Sequence, residues 1–273
     1  MRPERPGRGA VAVGAALLAT LGALAAAAPW LAPAGPTAID LGARLAPPGA
    51  HHLLGQDALG RDVLARLLFG ARASFLVAGA AVALAATVGI ALGALAGWCG
   101  GWVDELVGRV VDVLLAFPGL LLAIALAAVL GPGRLNIVLA LAVLGWTGYA
   151  RLARSEIAAL RRRELTEAAR ALGASPVHIV MRHLLPLAAP ALLVQATFGL
   201  SGAVLAEASL AFLGLGAPPP APSWGGMLDE GRQFVLVAPH LVIAPGAALA
   251  LTVLALQLAG DGLRDLLDVR GAR

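Results

Sequence analysis

EAARALGASPVHIVMRHLLP, residues Glu167–Pro186, interrupts a chain that is otherwise nearly all apolar, and the basic run RLARSEIAALRRRELT, Arg151–Thr166, leads into it. From Arg151 to Leu172 the residues are good helix formers without Pro or Gly, so the preceding apolar segment is predicted to continue as helix out of the membrane. Gly173 suits the left-handed position that ends a helix cheaply. Ser175-Pro176 restarts one, with Ser175 as N-cap and Pro176 at the first helical position, where its missing N–H costs nothing. Pro186 marks the return to the membrane. The product is a helix–turn–helix elbow whose corner, Ala168, Ala169 and Ala171 beside Gly173, is low enough for another protein to close over it. A positively charged anchor needs only Arg161–Arg163; capped helices on both sides of a small-residue corner exceed that need.

Composition sets the frame around this stretch. Hydrophobic residues make up 59% of the 273 and charged residues 13%, where soluble domains carry roughly 25% charge. The formal net charge is +4 and every basic residue is arginine. A phosphate-binding P-loop needs its lysine to reach the β/γ-phosphates, so this chain is not itself a standard ATPase. Cys99 is the only cysteine, which rules out an intrachain disulfide, and the five histidines form no HExxH or comparable ligand set. No GxSxG or paired-carboxylate pattern suggests catalysis.

Six membrane spans follow from the apolar runs. Residues 1–9 carry Arg2, Arg5 and Arg8 ahead of an apolar run from Ala10 to about Pro33. It is longer than the roughly 7–15 residues of a signal h-region, and reads as a retained first helix. Residues 34–73 form an outer segment, Pro/Gly-rich at first. Asp57–Arg72 then reads as an amphipathic interfacial helix, with Leu59, Val63, Leu64, Leu67 and Leu68 on one face and Asp57–Arg61 and Asp62–Arg66 as exposed i,i+4 pairs. The second span, Ser74–Gly97, places Ala81, Ala85, Gly89, Gly93 and Gly97 on one face, a pattern that lets another helix approach closely. Gly100–Arg109 reads as a short cytoplasmic connection, and a third span runs to Leu130 with a kink at Pro118. Gly131-Pro132-Gly133 turns outside, and the fourth span covers Leu135–Ala150. The fifth covers Leu187–Leu215 and holds Glu207 near the outer interface. An outer loop with a short amphipathic turn leads to the sixth, Val237–Gly260, bent or started afresh at Pro239 and Pro245. Asp261–Arg273 is a charged tail. With both termini cytoplasmic, fourteen arginines lie inside and six outside, the bias expected for this orientation.

Here the residues carry a family resemblance. Glu167-Ala168-Ala169, then Gly173 after three residues, then Leu185-Pro186 resembles the EAA loop of permease subunits of ABC importers. His183 stands where the family usually has an aliphatic residue, and His is common there in the dipeptide/oligopeptide/nickel branch. Similar to that branch are also LGQDALGRDVLARLLFGARA (54–73), GWCGGWVDELVGRVVDVLLAFP (97–118), EASLAFLGLGAPPPAPSW (207–224) and GDGLRDLLDVR (260–270). Leu187 and Val269 depart from it, where Asn and Pro are usual.

The resemblance implies an all-α integral membrane protein with the type I ABC importer permease fold. Residues 1–50 would hold the first transmembrane helix and the start of the outer loop, and 51–273 a permease core of five helices with a cytoplasmic coupling loop at 152–186. The expected partners are a second homologous permease, two cytoplasmic ATP-binding subunits and an extracytoplasmic solute-binding protein, in a bacterial inner membrane and without nucleic acid. No cofactor is expected on this chain, ATP and Mg belonging to the ATP-binding subunits. The candidate coupling residues are Glu167, Ala168, Ala169, Gly173, Arg161, Arg162, Arg163 and Pro186; substrate-binding residues are not assigned. Di- or oligopeptides are the expected solutes, with nickel or another small solute as the alternative. Outside this class stand an ion-gradient-driven transporter, which needs convergent ionisable groups near the midplane where the spans offer only Gln195 and Gln257, and a membrane scaffold without a solute.

Overall fold

The computed structural model describes residues 6–267, and these fold as helices, with one isolated bridge between Gln56 and Asp62 as the only β pairing among them. In chain order the helices are α1 (Pro6–Ala26), α2 (Ala28–Leu31), α3 (Val63–Cys99), α4 (Gly101–Leu115), α5 (Gly119–Leu130), α6 (Arg134–Leu160), α7 (Glu164–Ala171), α8 (Pro176–Ile179), α9 (Leu185–Phe212), α10 (Trp224–Arg232) and α11 (His240–Leu267). A π-helical stretch, Val180–Leu184, joins α8 to α9 without a break. Five helices are long and apolar enough to cross a membrane, and six spans result if the bent pair α4–α5 counts as one. Arg2, Arg5, Val269, Arg270 and Arg273 lie outside the described residues.

The frame is the packing of α3 on α6. Ala81, Ala85, Gly89, Gly93 and Gly97 are all buried, and a Cβ at Gly89, Gly93 or Gly97 would run into the α6 backbone at Trp146, Ala150 or Arg154. The four-residue spacing therefore marks an intrachain contact in which two backbones meet almost directly, gaining the dispersion contacts that lipid cannot supply. Helix α1 packs along α11 by the same means, with Gly14 against Ala255 and Ala259.

Several boundaries differ from those the sequence suggests. No helix covers Asp57–Asp62: Gly60 takes φ +72° in a turn, Asp62 caps α3 by accepting from the Leu64 N–H at 3.1 Å, and the interfacial segment and second span are one helix of 37 residues. The first span ends at Ala26, before the short α2. Gly100–Arg109 is not a connection, because α4 begins at Gly101, directly after the tight turn at Gly100. At Pro118 the chain does not merely kink: α4 and α5 meet at 87°, since proline both lacks the N–H and disfavours helix in the residue before it. The fifth span ends at Phe212. The sixth starts after Pro239, as its sequence implies, tolerates Pro245 and runs seven residues beyond Gly260 to Leu267.

The outer end is closed by a charge cluster. Asp57 and Arg61 do pair, at 2.6 Å, but buried rather than on an exposed helix face, and Arg66 reaches Asp57 (2.5 Å) and Glu230 of α10 (2.6 Å) instead of Asp62. Arg61 also reaches Glu230 at 2.6 Å. Burial pushes the Asp57 carboxyl up, but backbone N–H groups of Arg61 and Leu59, and then the Arg66 and Arg61 guanidiniums, outweigh it and hold it below its ordinary value. Its stabilising contribution is thus present at neutral pH and lost on acidification through that lowered value. Beside the cluster Trp224 donates from Nε1 to the Leu67 carbonyl at 3.0 Å and meets Phe75 edge to face, so α10 is fastened to the start of α3. Glu207, 3% exposed, lies buried on the inward face of α9.

The α3–α6 contact makes a controlled prediction. Gly→Ala in a helix interior is ordinarily favourable by about 1 kcal/mol, and a Cβ at Gly79 has open space. Gly79→Ala should therefore hold or raise the melting temperature of the purified protein, whereas Gly93→Ala should lower it, overpacking costing about 1–3 kcal/mol.

Candidate functional site

The elbow forms where the sequence places it, with its first arm divided. Helix α6 ends at Leu160, and Arg161–Arg163 turn the chain before α7 begins. Nothing in Arg161–Arg163 breaks a helix by itself. Thr166, buried, donates from Oγ1 to the Leu160 carbonyl at 2.9 Å, satisfying a C-terminal acceptor of α6 and folding α7 back against it. Trp98 holds the bend from the other side, with the Arg170 and Arg161 guanidinium carbons 4.8 and 5.9 Å from its ring centroid.

Gly173 ends α7 at φ +81°. Its N–H donates to the Arg170 carbonyl (2.9 Å) and the Ala174 N–H to that of Ala169 (3.1 Å), the paired bonds of a Schellman cap. A Cβ at Gly173 would meet nothing within 4 Å, so the requirement for glycine is conformational. Ser175 Oγ accepts from the His178 N–H at 3.3 Å and Pro176 opens α8, as its sequence implies. Pro186 does not break the chain: it stands exposed in the first turn of α9, and helix runs without interruption from Pro176 to Phe212.

Beneath the corner, Ile179, Leu184, Ile157, Leu160, Ala188 and Leu192 form a buried cluster against which Ala169 packs. Ala169 thus serves the fold, while Glu167, Ala168 and Gly173 are exposed at the corner. Arg161, Arg162 and Glu167 line one common cavity; Arg163 precedes α7 in extended conformation, and Pro186 lies on the far arm. What the sequence reading missed is the apolar character of the corner: Leu172 is 88% exposed, Val177 72% and Met181 61%. The signal was available as three large apolar residues inside the polar insert. Together they make an unpartnered apolar tip flanked by arginines and Glu167, at the junction of two helices that reach into the membrane.

Residues 89–272 match the family described as binding-protein-dependent transport system inner membrane component. The chain belongs to this family. It is 44% identical over 240 residues to the probable D,D-dipeptide transport system permease protein DdpC of Escherichia coli K12, covering 88% of this chain and 80% of that one. It is 45% identical over 225 residues to the dipeptide transport system permease protein DppC of Alkalihalophilus pseudofirmus (82% and 74%) and 44% identical over 221 residues to the glutathione transport system permease protein GsiD of Pectobacterium atrosepticum (81% and 73%). Its fold resembles an inward-facing structure of the MetNI methionine ABC transporter, with TM-score 0.59 and 22% identity over 74% of this chain and 95% of that one. This permease is therefore a multi-pass inner-membrane component of an ABC import system, with the type I importer fold.

The Thr166 bond can be tested in isolation. Thr166→Val keeps the shape but removes the hydroxyl donor that ties α7 to the Leu160 carbonyl, leaving that carbonyl only the Arg163 N–H at 3.1 Å, at a cost of about 1 kcal/mol. The bend should open more often, so trypsin should cleave at Arg161–Arg163 several-fold faster in the variant than in the parent.

Proposed function

We propose that this permease imports di- or oligopeptides and that its elbow is the seat through which ATP-binding subunits drive it. In this reading it pairs with a second homologous permease to form the translocation path, receives solute from an extracytoplasmic binding protein on the outer surface that α10 and residues 34–62 contribute, and sits on two ATP-binding subunits. ATP and Mg act on those subunits; the chain has no lysine for a P-loop. The peptide substrate class rests on the names of the dipeptide and glutathione permeases it resembles.

The observation that carries the coupling role is the exposed apolar tip, Leu172, Val177 and Met181, at the end of a rigidly capped bend. Fully burying one such side chain yields roughly 1.5–3 kcal/mol, so the tip is a natural centre for a protein contact, with a polar rim of Glu167, Arg161, Arg162 and Arg163. Gly173 and Ala168 keep the corner low enough for the fit, Ala169 fixes it to the helices below, and Pro186 lies on the arm that runs into α9. Closure of the ATP-binding subunits would push the bend, and the uninterrupted helix Pro176–Phe212 would carry the displacement into the membrane.

Gly173→Asp and Ala169→Glu should each reduce ATP-dependent uptake of a labelled dipeptide in cells to background while the protein remains in the membrane fraction at parental level. The first forces a side chain into a left-handed position, and the second puts a charge against the cluster under the corner. Uptake at the parental rate in either variant contradicts the coupling role.

A further inference from the structure

We propose that the cavity between the cytoplasmic ends of α3, α6 and α7 binds the phosphate of an anionic phospholipid headgroup. The inference goes beyond solute import and requires only that the chain spans a membrane. The cavity has a volume of about 500 Å³ and is lined by Gly100, Gly101, Arg161, Arg162, Glu167 and Arg170 among others. A water's share of liquid volume is about 30 Å³, so the space is roomy enough for a phosphate group and its hydration.

The charge inside it is unbalanced. Arg161, Arg162 and Arg170 form no ion pair among the described residues. Asp104 also lines the cavity but is already paired with Arg154, whose Nη2 donates to Oδ2 at 2.7 Å. Among the described residues Glu167 is thus the one lining carboxylate without an ion pair to set against three guanidiniums. Two of the three, Arg170 and Arg161, both lie over the Trp98 ring and line the same cavity, so an anion bound there relieves their mutual repulsion. Arginine is the side chain suited to such a group, because its planar fork matches phosphate oxygens in pairs. Helix α4 adds to the field: it starts at Gly101 on the cavity wall without a side-chain cap, leaving its first N–H groups and the positive end of its dipole toward the space.

The source of the phosphate follows from what surrounds the cavity. Trp98 lies under two of its arginines, and Trp102, 75% exposed, is the second residue of α4. Tryptophan at the end of a spanning helix sits at headgroup depth. A basic pocket at that depth on the cytoplasmic side is the setting in which anionic headgroups are held. A headgroup seated here would tie the bend at Arg161–Arg163 to the membrane surface.

The test is lipid retention by the purified full-length permease, counted by native mass spectrometry during titration with phosphatidylglycerol and, separately, phosphatidylcholine. The parent should retain phosphatidylglycerol at least about tenfold more tightly than the doubly substituted Arg161→Gln/Arg170→Gln protein, and Arg109→Gln, an exposed arginine away from the cavity, should match the parent. If the double variant does not fold by circular dichroism, Arg162→Gln carries the same comparison with a smaller loss. Millimolar inorganic phosphate should leave the bound lipid in place; if it displaces the lipid, the site belongs to a soluble anion and the headgroup assignment fails. Equal retention of the two lipids, or unchanged retention in the arginine variants, overturns the proposal. So does loss of the lipid when ATP-binding subunits are added, which would assign the cavity to an acidic side chain of that partner.

Discussion

Helices α3 and α6 approach so closely that no side chain fits between them at Gly89, Gly93 and Gly97. The rest of the molecule depends on this contact. In a membrane there is no hydrophobic drive to join two apolar helices, so close backbone approach and the dispersion it brings must hold them. Because α3 runs from the outer charge cluster to Cys99 beside the elbow, and α6 ends at the elbow itself, one pair of packed helices fixes the distance between the two polar ends of the protein.

At the outer end the constraint is electrostatic. Two arginines and two carboxylates balance one another in a partly buried site, and such groups are stable only when each keeps its partner. The cluster joins residues 57–66 to α10 and so gives the loops on that side a fixed shape from which a binding protein can be engaged. At the inner end the constraint is a set of caps: Thr166 on Leu160, the paired bonds around Gly173, and Ser175 on α8. These leave the bend well defined while its apolar tip stays uncovered. A stiff bend with an uncovered tip is suited to receiving a push, whereas a flexible one would absorb it.

How far the sequence disclosed this arrangement follows the range of the interactions involved. Gly173, Ser175 and Pro176 were legible because caps act over three or four residues, and the stripe from Ala81 to Gly97 because it repeats with the helix. The Asp57–Arg61 contact was anticipated by i,i+4 spacing, yet for the wrong reason: a turn at Gly60, not a helix, brings them together. The partner that completes the cluster, Glu230, lies 169 residues from Arg61, and no local rule could supply it. The break at Arg161–Arg163 was equally hidden, since these are adequate helix formers displaced by the Thr166 bond and by Trp98 from another helix. Of the candidate site, Glu167, Ala168 and Gly173 stand exposed at the corner, while Ala169 turned out to face inward and Pro186 to lie on a continuous helix. Leu172, Val177 and Met181 escaped notice because their exposure depends on which face the buried cluster takes.

The claim that the elbow seats on an ATP-binding subunit is tested most directly by cross-linking from its tip. Cys99 is the only native cysteine, so Leu172→Cys in a Cys99→Ser background provides a single thiol on the most exposed of the three large apolar residues at the tip. In the assembled transporter a short thiol-reactive cross-linker should join this position to the ATP-binding subunit, and the thiol should be protected from a water-soluble maleimide. Complete labelling by the maleimide, with no cross-linked product, would contradict the account.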